Sequence, residues 1–395
     1  MSTAAPRIFI IAGEASGDRL GAALMAGLRD LTGGTVRFEG IGGPLMAGEG
    51  LDSLFPMDRL SVMGLTEVLP RLPELMRLIR QTGDAVADAA PDALVTIDSP
   101  DFCLRVARRA RRRLPRLRTI HYVAPSVWAW RPGRAAKMAK VIDHVLALLP
   151  FEPPYMTAAG MTCDFVGHPV AETPVADAAQ CAAFRQGAGI APDAALLCLL
   201  PGSRAGEVAR HGALFREVLD RLAARRPSLR VVIPAVGPRV PELRALFEGA
   251  PGRPVILDPS ILPGALAEAR KRAAFAASTA ALAVSGTVSL EVAAAGTPMV
   301  VTYRASAVSA FLAKRLVKVR HASLVNILED AAVIPEFIFD AATPEALTEA
   351  TAHLLDDPAA RTRQTTRFAA AMTALGRGQE SPGLRAARSV LTAIG

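Results

Sequence analysis

The sequence predicts an α/β protein built on parallel sheets, and three observations carry the prediction. Short runs of aliphatic and β-branched residues alternate with helical periodicity along nearly the whole chain, the pattern of strand and crossover helix repeated. The strand series starts afresh near residue 195. Each series opens on an apolar strand that ends in a Gly turn before a helix, Ile10-Ile-Ala-Gly13-Glu14 in the first and Leu199-Leu-Pro-Gly202-Ser203-Arg204 in the second.

In the first half, strands are expected at Arg7 to Ala12, Arg37 to Ile41, Ala93 to Ile97, Arg118 to Tyr122 and His144 to Leu148. Helical patterns lie between them, including Leu20 to Leu31 and Phe102 to Arg113. The second series reads Ala195 to Leu200, Val231 to Val236, Val255 to Leu257, Leu282 to Val284 and Met299 to Tyr303. Two Rossmann-like domains account for both series, with the break in the Ala- and Pro-rich stretch from Pro169 to Asp193. Their expected extents are residues 1–175 and 190–360. A helical segment, 361–395, is expected to return to the first domain. Ligands of open α/β sheets bind beyond the carboxyl ends of the strands, so a cleft between the two domains is the natural place for a site.

Composition narrows the function classes. A chain of 395 residues with 51% hydrophobic and 21% charged residues is globular rather than disordered. It contains no run of about 18 uncharged apolar residues, which disfavours a transmembrane helix. The start of the chain lacks the features of a signal peptide, so a cytoplasmic protein is expected. Cys103, Cys163, Cys181 and Cys198 form no CxxC pair and read as buried thiols rather than metal ligands or disulfides. The net charge of +8 points to anionic partners. Eight arginines fall between Arg105 and Arg118, which suits a phosphorylated ligand or an anionic membrane surface, or else a solvated helix face. Nucleic acid is disfavoured, because aromatic residues are only 5% of the chain and do not interleave with the arginines.

The most informative segment is Ser285-Gly-Thr-Val-Ser-Leu-Glu291. A small turn of this kind leaves N–H groups at a helix start unpaired and ready for a diphosphate, while Glu291 can accept hydrogen bonds from a ribose. Ser285, Gly286, Thr287 and Glu291 are therefore candidate contacts to a nucleotide-sugar held without a metal; an ordinary βα turn is the competing reading. No GxxxxGK[ST], GxSxG or HExxH occurs, and neither Gly turn follows GxGxxG with an acid about 20 residues on. No cofactor is expected.

Asp98 is the candidate catalytic base. It directly follows the strand Ala93 to Ile97, and Pro100 biases Ser99 away from helix, so the corner can turn Asp98 toward a ligand; a helix N-cap is its alternative role. Arg204, with Gly202 and Ser203, suits departing phosphates, against a surface pair with Glu207. Gly13, Glu14, Ser16, Gly17 and Asp18 suit an acceptor sugar or its phosphate, with capping by Ser16 or Asp18 nearly as well supported.

Taken together, the chain resembles the lipid-A-disaccharide synthases, inverting glycosyltransferases of GT-B architecture. The matching segments are Ala12-Gly-Glu-Ala-Ser-Gly-Asp18, Ile41-Gly-Gly-Pro44, Val62-Met-Gly-Leu-Thr-Glu-Val68, Ile97-Asp-Ser-Pro-Asp-Phe102 and Tyr122-Val-Ala-Pro-Ser-Val-Trp-Ala-Trp130. They continue with Val166-Gly-His-Pro169, Leu200-Pro-Gly-Ser-Arg204, Ser285-Gly-Thr287 with Glu291, and Ser323-Leu-Val-Asn326. The resemblance implies two domains facing each other across a cleft, with UDP on the second and the acceptor on the first. It implies transfer from UDP-2,3-diacylglucosamine to the 6-hydroxyl of 2,3-diacylglucosamine 1-phosphate in a β-1,6 link, with UDP released. Asp98 then matches the base, and Arg204 and Asn326 match residues linked to UDP. Ser99 stands where Ala is expected in many members, and Val325 where Pro is expected.

The stretch from 62 to 80 carries Val62, Met63, Leu65, Val68, Leu69, Leu72, Leu75 and Met76 among Arg71, Arg77 and Arg80. Such a segment can lie in a membrane interface with its arginines at phosphates, or pack as an amphipathic core helix. Acylated substrates favour the first, giving a peripheral enzyme on an anionic inner-membrane surface. A UDP-sugar epimerase of the same architecture and a lipid-binding protein stay open as alternatives, as does any part played by His121, His168 or Glu14.

Overall fold

The computed structural model describes residues 5–60, 65–130, 133–305 and 319–395, and the side chains of 65–70 are outside that description. Two compact units divide the chain. One comprises Met1–Glu172 with Leu375–Gly395, the other Thr173–Ala374. The α/β class read from the sequence is the one observed.

Among its described residues the first unit holds six parallel strands, β1 (Arg7–Ala12), β2 (Arg37–Ile41), β3 (Ala93–Ile97), β4 (Arg118–Tyr122), β5 (His144–Ala147) and β6 (Thr162–Phe165), in the spatial order β2-β1-β3-β4-β5-β6. Strand β3 is buried along its whole length, and β1 at every residue but its first. Burial on both faces explains why these strands read as unbroken apolar runs instead of alternating ones. The chain steps outward from β1 to β2, then returns to the other side of β1 as β3, so the topological switch lies between β1 and β3. In register, Ala12 pairs with Ile97 and Ile97 with Tyr122. The loops after these three strands therefore leave the sheet at one level, where α/β proteins bind ligands.

The segment 361–395 is divided between the units. Helix Pro358–Ala374 belongs to the second, whereas the last helix, Pro382–Ile394, packs on Ala15–Thr32 of the first. Two glycines permit that close crossing: a Cβ on Gly383 would stand 2.6 Å from the Ala23 carbonyl oxygen, and one on Gly27 2.8 Å from the Gly383 carbonyl oxygen. Polar contacts add to it. His144 Nε2 lies 2.7 Å from Ser389 Oγ, which donates to Asp164 at 2.6 Å.

The second unit repeats the plan with β7 (Leu196–Leu200), β8 (Arg230–Pro234), β9 (Val255–Leu257), β10 (Ala280–Val284), β11 (Met299–Tyr303) and β12 (Glu336–Ile338), ordered β12-β11-β10-β7-β8-β9. Its switch lies between β7 and β10, and Leu200 pairs with Ala283 there. Strands β6 and β12 were not anticipated. Both are sheet edges, partly exposed along their length, and their sequences Thr-Cys-Asp-Phe and Glu-Phe-Ile lack the apolar run of a central strand.

No helix among the described residues is long and apolar enough to cross a membrane. Of the cysteines expected to be buried, Cys103 and Cys198 are, while Cys163 and Cys181 are only half-buried; all four are free.

Candidate functional site

At the carboxyl edge of the first sheet, the backbone is held in an uncommon conformation. Asp98 and Ser99 both have positive φ, 52° and 43°, and Val123, the residue after β4, has φ 81°. For a β-branched residue this is an outlier, and strained backbone of this kind concentrates at functional sites. The Asp98 N–H donates to the Tyr122 carbonyl at 3.0 Å, which fixes the corner to the end of β4. Ser99, not Asp98, is the N-cap of helix Pro100–Arg113, and its side chain caps nothing. No described residue donates a hydrogen bond to the Asp98 carboxylate, which is half-buried. It is therefore available to a ligand.

The Gly13 turn stands against this corner, since a Cβ on Gly13 would lie 2.7 Å from Ser99 Oγ. Glu14 is the half-buried N-cap of helix Ala15–Thr32, and Ser16 is exposed in its first turn. Two residues of the expected acceptor set have other duties. Asp18 is 2% exposed, and its carboxylate accepts from the N–H groups of Gly43, Leu45 and Met46 at 2.8, 3.0 and 3.0 Å. Its charge thus caps the short helix Pro44–Gly48 instead of facing a ligand. Gly17 is buried, its Cβ position 3.4 Å from Ala12 Cβ, so it serves the approach of the helix to the sheet.

His121 is a core residue, 1% exposed, with Nδ1 2.8 Å from Thr96 Oγ1; burial pushes its pKa down to about 4. His168 accepts from the Val170 N–H through Nδ1 at 3.1 Å, and burial lowers it likewise to about 4. The sequence reading missed Glu152. It is 3% exposed and accepts from Trp128 Nε1 at 3.2 Å and from the Leu148 and Leu149 N–H groups at 3.2 and 3.0 Å. Burial raises its pKa to about 7 despite these donors.

The second unit contains a cavity of about 490 Å³ at the carboxyl ends of β7, β8, β9 and β10, within the range of small-molecule sites. Leu200, Pro234, Leu257 and Val284 give it apolar walls; Gly202, Ser203, Arg204, Ser285, Gly286, Thr287 and Glu291 all line it. Seven of the eight residues expected to hold a nucleotide therefore come together. The eighth, Asn326, does not. It is fully buried, its Nδ2 donating to the Ile334 carbonyl and its Oδ1 accepting from the Ile334 N–H, both at 2.8 Å. An amide so occupied braces its loop. The segment just before its helix meets the cavity lining at Ser285, whose Oγ donates to the Ala322 carbonyl at 3.0 Å.

Arg204 is the N-cap of helix Ala205–Arg225, with an exposed side chain that meets Glu207 Oε1 at 3.2 Å. Glu207 Oε2 accepts from the Ser203 and Arg204 N–H groups at 3.0 and 3.3 Å. A carboxylate thus sits on donors that suit an anion. At the other Gly turn, the N–H groups of Gly286, Thr287 and Val288 have no protein acceptor among the described residues. Glu291 is paired with Lys271, which sequence reasoning missed; the two meet at 2.9 Å, and Lys271 Nζ is also 2.9 Å from Glu268. Burial works against the Lys271 ammonium, yet the two carboxylates outweigh it and hold its pKa above the ordinary value. The EARKR segment shows the local i,i+3 pair with Glu268, but nothing in it marks Lys271 as a partner of Glu291, which only folding brings to it.

In the expected membrane segment, Val62 and Met63 lie outside the described residues. Leu65, Val68 and Leu69 fall on helix Leu65–Ala89, Leu75 is half-buried, and Leu72 and Met76 are 45% and 36% exposed. The same helix sends Leu78 and Val86 into the core. Arg71 is not free for a phosphate: with Arg59 it binds Glu74, whose pKa these contacts lower. In the arginine cluster, Arg109, Arg111 and Arg113 pair with Asp84, Asp143 and Asp88, leaving Arg105, Arg108 and Arg112 on the exposed face of helix Pro100–Arg113.

Comparison with known proteins adds to this geometry. The sequence model of a family described as lipid-A-disaccharide synthetase matches residues 8–383. A lipid-A-disaccharide synthase of Ruegeria pomeroyi is 54% identical over 387 residues, covering 98% of this chain and 94% of that protein. Among solved structures, a Neisseria meningitidis UDP-GlcNAc 2-epimerase bound to UDP-GlcNAc superposes with a TM-score of 0.63 at 11% identity, covering 99% of each chain. A calicheamicin glycosyltransferase gives 0.57 at 17% identity, covering 99% of this chain and 98% of that one. These structural likenesses establish the GT-B fold.

Proposed function

We propose a reaction course from one premise: this chain belongs to the lipid-A-disaccharide synthetase family and is a hexosyltransferase of lipid A biosynthesis. The donor is UDP-2,3-diacylglucosamine and the acceptor 2,3-diacylglucosamine 1-phosphate. Asp98 takes the proton of the acceptor 6-hydroxyl. The oxygen attacks the anomeric carbon from the face opposite UDP, inverting it into a β-1,6 link. The observation that carries this reading is the Asp98 corner, a carboxylate with no protein partner among the described residues, held by strained backbone at the switch point of its sheet.

UDP is assigned to the cavity of the second unit. The diphosphate takes the N–H groups of Gly286 and Thr287 with those of the Gly202-Ser203 turn, displacing the Glu207 carboxylate, and Arg204 turns from Glu207 to the departing charge. Glu291 accepts from the ribose. Gly13, Glu14 and Ser16 hold the acceptor beside Asp98. Helix Leu65–Ala89, with Leu72 and Met76 outward, docks on the anionic inner-membrane surface, where acyl chains keep the acceptor.

Incubating the purified protein with both substrates tests the reading. Disaccharide 1-phosphate and UDP formed together support it, and the anomeric proton coupling of the product reads the configuration. Free or epimerised sugar without disaccharide rejects it.

A further inference from the structure

Within the cavity of the second unit, one cluster is built to a higher specification than the proposed reaction so far uses. Lys271, on helix Gly264–Ala276, places Nζ 2.9 Å from Oε2 of Glu268 and 2.9 Å from Oε2 of Glu291, and all three side chains line the cavity. Glu291 belongs to helix Val288–Ala294, so the ion pair joins crossover helices that follow different strands. A mostly buried ammonium is costly unless paired. Here it is paired twice, and the cluster still carries one net negative charge.

Two carboxylates gathered on one ammonium keep oxygens that accept hydrogen bonds, so the cavity has a donor-reading side at Glu268 and Glu291 as well as an anion side at the Gly turns. On Glu291 the two oxygens are unequal. Oε2 is pinned by Lys271, whereas Oε1 has no protein donor among the described residues, and the side chain is 37% exposed. A free glutamate must lose rotamer freedom to grip a ligand. Lys271 removes that freedom in advance and keeps one oxygen directed by the fold.

We infer that Lys271 is a positioning residue that fixes Glu291 to read the ribose hydroxyls of the nucleotide, making the site selective for ribonucleotide over 2′-deoxyribonucleotide donors. The inference rests on the assignment of Glu291 to the ribose made above. A site built to bond a hydroxyl rejects the analogue lacking it, because a buried polar group is then left unpaired.

Calorimetric titration of the full chain with UDP and with 2′-deoxy-UDP is the test, run on wild type, Lys271→Met, Lys271→Arg and Glu291→Gln. Wild type is expected to favour UDP by about 10- to 100-fold, the worth of one hydrogen bond to a charged group. Lys271→Met should cut the ratio below about threefold by weakening UDP alone, and Lys271→Arg should restore most of it, as the pairing charge returns. Binding of 2′-deoxy-UDP by Lys271→Met, unchanged within about twofold, doubles as proof that the cavity still folds. If Lys271→Met keeps the wild-type ratio while Glu291→Gln loses it, or weakens both nucleotides alike, Lys271 is mere scaffold and the inference is overturned. If Glu291→Gln itself keeps the ratio, the ribose assignment is wrong and the inference goes with it.

Discussion

Asp98 and Ser99 are held in succession at positive φ, at a cost of about 1–3 kcal/mol for each such residue. The strand ends at Ile97, and the Asp98 N–H still holds the corner to the Tyr122 carbonyl. With Ser99 at the N-cap, the Asp98 carboxylate is not occupied by the helix N–H groups. Asn tolerates the same region and matches Asp in shape. Asp98→Asn is therefore expected to retain fold and UDP affinity while turnover falls by about 10²- to 10⁴-fold, the usual worth of a general base. Steady-state assay with calorimetry for UDP checks both halves, and near-normal turnover would remove Asp98 from the mechanism.

Glu152 permits a prediction of a different kind. Its folded pKa, about 7, lies above the unfolded value near 4.5, so the folded state binds the extra proton between those limits. Stability supplied by the protonated acid is present below about pH 4.5 and is lost as pH rises through 7. Gln cannot ionise. The stability of Glu152→Gln relative to wild type should therefore rise by up to roughly 3 kcal/mol between pH 4.5 and 8, since each pH unit separating the folded and unfolded pKa values is worth about 1.4 kcal/mol. Urea titrations across that range measure it, and a flat difference would show that Glu152 is not held protonated.

At the scale of elements, the crossing of Ala15–Thr32 with Pro382–Ile394 depends on the absence of side chains at Gly27 and Gly383. The atoms a new side chain would meet are backbone, which cannot rotate aside. Gly383→Val should destabilise the protein by about 1–3 kcal/mol, the usual cost of overpacking, read as a lower denaturation midpoint. An unchanged midpoint would mean that the helices can separate freely.

Helix Leu65–Ala89 shows a division of labour along its length. Its later turns send Leu78 and Val86 into the core, while Leu72 and Met76 remain outside. Replacing Leu72 and Met76 with Ser removes apolar surface without touching that core. Co-sedimentation with phosphatidylglycerol vesicles should drop while the melting temperature holds. Retained sedimentation would move the docking surface away from this helix.

For the whole molecule, the division into two units has a mechanical consequence. Each has its own sheet and core, and the chain returns to the first unit only through residues 375–395. Truncation after Ala374 strips the first unit of the helix bearing Ala386, Ala387 and Val390, all fully buried, and leaves the second complete. The truncated chain should lose transferase activity and melt earlier, yet still bind UDP. Loss of UDP binding would show that the nucleotide site depends on the first unit.

Central strands, the second strand series and the two Gly turns were legible in the sequence, because strands buried on both faces must be apolar throughout and tight turns demand small residues. So was the placing of Asp98 at its sheet edge and of seven of the eight expected nucleotide residues around one cavity, because each belongs to a turn or helix start that follows a readable strand. Other roles were decided by contacts that only folding makes. Asp18 is spent on the backbone of residues 43–46, Asn326 on Ile334, and Lys271 acquires meaning only beside Glu291. A side chain's chemistry is written locally, but whether its lone pairs are free for a ligand depends on which donors folding brings within about 3 Å, and only the tertiary structure decides that.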